Sequence, residues 1–86
     1  MGMKQKIMIV DDAEINRQIL MAILGDKYEY VQAENGCQAV HMLQHDLTID
    51  LILLDINMPE MNGFQMLERM NKFHWIDEIP VIMISS

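Results

Sequence analysis

The chain has 86 residues, room for one small domain, and 51% of them are hydrophobic, a globular rather than a disordered composition. Its net charge of −7 offers no basic patch to neutralise phosphates, which argues against direct binding to nucleic acid or an anionic membrane. No apolar run approaches the roughly 20 residues of a membrane span, and the lone Cys37 excludes an intrachain disulfide, so a reducing, cytoplasmic setting is expected.

The first segment, Lys6-Ile7-Met8-Ile9-Val10, is an apolar run that stops abruptly at Asp11-Asp12 and reads as a strand buried on both faces. From Ala13 to Leu24 the spacing turns helical. It places Ile15, Ile19, Leu20, Ile23 and Leu24 on one apolar face, with Gly25 as the stop. Tyr28 to Ala33, rich in aromatic and branched residues, predicts a second strand, and Asn35-Gly36 a turn. A helix from Cys37 to His45 presents Ala39, Val40 and Leu43 on one side. Leu51-Ile52-Leu53-Leu54 is another wholly apolar strand, and it too ends in a carboxylate, Asp55. After a loop over residues 56–62, a third helix starts near Gly63 with Met66, Leu67 and Met70 inward. Pro80 to Ile84 is the last strand, followed by Ser85-Ser86. The order βαβαβαβ implies an α/β doubly wound sheet of parallel strands joined by right-handed crossovers. No internal boundary divides it, so residues 1–86 are expected to form one domain.

In open parallel sheets the chemistry collects at the carboxyl ends of the strands. Three of the four predicted strands end there in reactive side chains: Asp11-Asp12, Asp55 and Ser85. Clustered carboxylates repel one another unless a cation or protons intervene, and hard oxygen ligands of this kind suit Mg²⁺. Each residue has a plainer reading. Asp12 taken alone is better explained as the N-cap of the following helix. Ser85 alone carries no information. Asp55 resists the capping explanation, because its helix begins several residues later. His41, His45 and His74 read as surface or boundary residues rather than metal ligands, Cys37 as a small filler, and the ten methionines as core filler.

Together, Ile7-Met8-Ile9-Val10-Asp11-Asp12, Asn16-Arg17, Glu34-Asn35-Gly36, the run Leu53-Leu54-Asp55-Ile56-Asn57-Met58-Pro59-Glu60-Met61-Asn62-Gly63 and Pro80-Val81-Ile82-Met83-Ile84-Ser85 resemble the receiver domain of bacterial response regulators. The resemblance implies a flavodoxin-like receiver fold with strand order 2-1-3-4. It implies that Asp55 accepts a phosphoryl group from the phosphohistidine of a sensor histidine kinase or a phosphotransfer protein. Asp12 would bind Mg²⁺ directly, Asp11 through water, and Asn57 through its backbone carbonyl, while Ser85 would hydrogen-bond the phosphoryl oxygens. No independent enzymatic turnover is expected. Ser86 matches a position usually held by a very small residue, so it would slightly crowd that group.

The pattern departs from the resemblance after the fourth strand. The fourth helix, the fifth strand with its Lys, and the fifth helix have no counterpart, and Lys4, Lys6, Lys27 and Lys72 all precede the last strand. The expected fold is therefore an incomplete receiver, with Val81–Ile84 as an exposed apolar edge that invites pairing with a second copy. Weak phosphorylation with partial retention of Mg²⁺ binding is expected. An alternative function is a receiver-like scaffold for protein interaction or self-association without switching. A metal-dependent phosphatase, with the nucleophile in the acidic pair, ranks below both, because the Asp55–Gly63 pattern fits receivers better.

Overall fold

The computed structural model describes residues 4–46, 48–56, 63–72 and 78–84. Seven elements follow in chain order: β1 (Lys6–Val10), α1 (Glu14–Leu24), β2 (Glu29–Ala33), α2 (Gly36–His45), β3 (Leu51–Asp55), α3 (Gly63–Lys72) and β4 (Val81–Ile84). The strands form one sheet in the order β2-β1-β3-β4, as the resemblance implies, and every neighbouring pair is parallel.

The two unbroken apolar runs occupy the two interior positions of the sheet. On β1, Ile7, Met8, Ile9 and Val10 are all buried, and on β3 so are Ile52, Leu53 and Leu54. An interior strand of a parallel sheet is covered on both faces, so both side-chain directions must be apolar. One face carries Met8, Val10, Ile52 and Leu54 against Ala39, Val40 and Leu43 of α2 and Met66 and Met70 of α3. The other carries Ile7, Ile9 and Leu53 against Leu20, Met21 and Leu24 of α1. Full burial of one such aliphatic side chain is worth about 1.5–3 kcal/mol.

Helix α1 corrects the sequence reading. Ile15, Ile19 and Ile23 are exposed, at 66%, 48% and 73%. The helix turns a different arc, Arg17, Leu20, Met21 and Leu24, toward the sheet. These positions run i, i+3, i+4, i+7, which is a complete inward stripe. The isoleucines run i, i+4, i+8 on the opposite side. Of the expected face, Leu20 and Leu24 are thus inward, and only the three isoleucines depart from it.

The ends of the helices are set locally. Gly25 closes α1 at φ 87° and donates its backbone N–H to the Met21 carbonyl. That positive φ is costly for a residue with a Cβ. Asn35-Gly36 is a cap rather than a free turn. The Asn35 side chain accepts from the Gln38 backbone N–H at 2.7 Å, and α2 starts at Gly36. Cys37 is exposed and so fills no core gap.

Candidate functional site

Sheet order explains how distant residues meet. After β1 the chain crosses to α1 on one face, and after β3 to α3 on the other. Helices on opposite faces after adjacent strands make the carboxyl ends of β1 and β3 the switch point at which open parallel sheets bind ligands. The register pairs Val10 with Leu54, so Asp11 and Asp55 follow side by side. Asp11 is 1% exposed and Asp55 fully buried, whereas Asp12 lies in solvent. Asp11, Asp12 and Asp55 each present a carboxylate oxygen, and these oxygens lie within 4.8 Å of one another.

The β1–α1 connection is tightly held. The Asp11 backbone N–H donates to the Ala33 carbonyl at 3.1 Å, and its Oδ1 accepts from the Ala13 N–H at 2.9 Å. Ala13 is the N-cap of α1, with no side-chain cap, so the capping role weighed for Asp12 is not the one it fills. Burial raises the pKa of Asp11, and the Asp55 and Asp12 charges add to that rise. The Ala13 N–H and the Asn16 side chain oppose it by bonding the ionised form.

Arg17 escaped the reading of single residues. It is 7% exposed and donates from Nη1 to the Asp11 carbonyl at 2.6 Å and from Nε to Gln32 Oε1 at 3.0 Å. It ties α1 to the turn that carries both N-terminal aspartates and to β2. Spacing gave no signal for it, because the expected apolar face of α1 did not include position 17 and its polar partners lie on other elements. Asn57 and Ser85, the other two expected site residues, lie outside the described residues, as do Ser86 and His74.

A cluster of three carboxylates with two of them buried suits a hard divalent cation. The donors are all oxygen, two sit in a low-dielectric setting, and the cation would relieve their mutual repulsion. A family model described as "Response regulator receiver domain" matches residues 7–86. The chain belongs to the response regulator receiver domain family. The two-component response regulator ORR3 of Oryza sativa is 33% identical over 81 residues, which are 93% of this chain and 62% of that protein. The response regulator-like PRR37 of the same species is 39% identical over 83 residues, 94% of this chain and 11% of that protein. Among solved structures, the chemotaxis protein CheY4 of Vibrio cholerae superposes with a TM-score of 0.83 at 30% identity, covering 94% of this chain and 68% of that one. A receiver protein from Pseudomonas putida, at 21% identity, TM-score 0.86 and coverage of 99% and 70%, shares the fold. This receiver chain thus spans under two thirds of the length of the first rice relative. Among its described residues no helix is long and apolar enough to cross a membrane.

Proposed function

We propose that the chain is the phosphoacceptor module of a two-component phosphorelay and that Asp55 receives the phosphoryl group. The observation that carries this reading is the meeting of Asp11, Asp12 and Asp55 at the β1/β3 switch point, with Asp55 at the end of an interior strand. Asp11, Asp12, Asp55 and the Asn57 backbone carbonyl would hold Mg²⁺, which when bound stabilises charge on the transferring group and on the carboxylates.

The residues divide the remaining work. An Asp55 oxygen attacks the phosphorus of the donor, the N–P bond of the phosphohistidine breaks, and an acyl phosphate forms. A carboxylate nucleophile has no proton to give up on attack and so needs no general base. Phosphoryl transfer depends on positioning more than covalent chemistry. The hydrogen bonds from Ala13 and Arg17 to Asp11 support that positioning by holding the rim of the pocket. Ser85 would donate to the phosphoryl oxygens and so link the modified state to the end of β4. The partner is a sensor histidine kinase or phosphotransfer protein, met in the cytoplasm.

The test is incubation with Mg²⁺ and acetyl phosphate. Label is expected on the native chain and none on Asp55→Ala. Equal labelling of both would refute the assignment.

One observation favours a second reading, a scaffold that associates without switching. β4 lies at a sheet edge and Ile82 is 51% exposed on it. Pairing of two such edges would cover that surface. Sedimentation of the native chain as a concentration-independent monomer would remove this reading. Association that persists in Asp55→Asn and in chelator would favour it over the first.

A further inference from the structure

On α2, a second group of metal-ligating side chains lies apart from the acidic pocket. His41 and His45 are both exposed and stand one turn apart, their ring centroids 4.8 Å from each other and their planes at 70°. Residues at i and i+4 share one face of a helix. Two histidines at this spacing on a helix are the arrangement by which metalloprotease helices hold zinc. Imidazole nitrogen selects borderline transition-metal ions, whereas the carboxylate set at the β1/β3 ends selects hard cations. Since both rings are exposed, they can rotate their nitrogens toward one ion without disturbing the core.

We propose that His41 and His45 form a surface chelate for a borderline divalent transition-metal ion, represented by Zn²⁺, with water completing the coordination shell. Cys37 lies one turn before His41 and is also exposed. Cys37 and His45 are separated by about 12 Å along the axis at 1.5 Å per residue, too far to share one ion. The ion therefore takes one adjacent pair. The two histidines, whose rings are already in contact, are that pair. A bound ion would cross-link the last two turns of α2 and oppose fraying of the segment that precedes Asp46. This site does not depend on the phosphoacceptor reading.

The experiment is Zn²⁺ titration of the full chain by calorimetry, with Mg²⁺ in large excess to keep the acidic pocket filled. Imidazole signals are followed in parallel by NMR. One Zn²⁺ per chain is expected, with the His41 and His45 signals moving together. His41→Gln and His45→Gln are each expected to weaken binding by about tenfold or more, as loss of one of two protein ligands from a chelate requires. Cys37→Ser is expected to leave the affinity unchanged. Unchanged affinity in both histidine variants would overturn the proposal. So would a comparable loss in Cys37→Ser with binding retained in His45→Gln, because the ion would then sit on Cys37 and His41. Far-ultraviolet circular dichroism of each variant without metal separates loss of ligand from loss of helix.

Discussion

The two ends of β1 treat charge in opposite ways. At the amino end, Lys6 donates from Nζ to Asp46 Oδ2 at 3.1 Å and to Thr48 Oγ1 at 2.9 Å, and from its backbone N–H to Asp50 Oδ2 at 2.8 Å. Nearby, Lys4 Nζ donates to the Asp26 carbonyl at 2.9 Å. Hydrogen bonds from Thr48 and then Lys6 lower the Asp46 pKa to about 2. At the carboxyl end, carboxylates crowd together and the Asp11 pKa moves up. One strand thus joins a satisfied polar clasp to a cluster of like charges. The clasp contributes order, whereas the cluster opposes folding until a cation or protons arrive. The contrast marks the carboxyl end of β1 as the candidate site, since clustered like charges are costly where nothing offsets them.

Four measurements would break or sharpen this contrast. The largest effect is expected from metal. Mg²⁺ at a hundred times its dissociation constant should stabilise the native chain in denaturant melts by about 2.7 kcal/mol. Asp55→Asn should lose most of that gain while melting no lower than the native chain in chelator. If Asp55→Asn keeps the gain, the cluster is not the metal site.

Arg17→Met comes next. It leaves the Asp11 carbonyl without its guanidinium donor and is expected to cost about 1–3 kcal/mol in urea unfolding. It should also weaken Mg²⁺ binding, because the turn carrying Asp11 and Asp12 loses its anchor. Loss of stability with unchanged Mg²⁺ affinity would restrict Arg17 to the fold.

Acidification should separate the two ends by sign. Asp11 has a raised folded pKa, so in chelator its contribution is fully present below the unfolded value of 3.8 and is lost as pH rises through the folded value. Asp46 has a lowered one, so its contribution is present above 3.8 and lost as pH falls through about 2. Stability of the metal-free chain should therefore gain from the acidic cluster as pH falls toward 4 and lose from the clasp below it. Asp11→Asn should flatten the first limb in a pH series of denaturant melts and leave the second. The smallest effect is expected from Lys6→Met. The Lys6 and Asp46 side chains are 24% and 39% exposed, so breaking that ion pair should cost under about 1 kcal/mol. A larger loss would show that the clasp, rather than the apolar strands, holds that end together.

Much of this was legible in the residues. The runs Ile7–Val10 and Leu51–Leu54 announced buried parallel strands, because only a strand covered on both faces tolerates unbroken apolar sequence. Their terminal carboxylates announced the site, because the strand ends of such sheets face one crevice. Gly25 announced a helix end through backbone geometry that acts over a few residues, whereas Asn35, expected only as part of a turn, caps α2. Other features depend on long-range placement. The spacing offered Ile15, Ile19, Leu20, Ile23 and Leu24 as one face for α1, yet of these only Leu20 and Leu24 meet the sheet, joined by Met21, while the three isoleucines face outward. Local spacing groups apolar residues but does not say which part of a wide apolar arc meets the sheet. Arg17 could be recognised as an anchor only once its partners, the Asp11 carbonyl and Gln32, were brought beside it by the β1–β2 pairing. The sequence by itself determined the alternation of strands and helices and the presence of carboxylates at the strand ends, because periodicity and chain reversal are local. Only the tertiary structure decided that Asp11, Asp12 and Asp55 stand within 4.8 Å. That distance is set by the parallel register of β1 on β3, and register is a property of two strands whose paired residues, such as Val10 and Leu54, lie 44 positions apart in the chain.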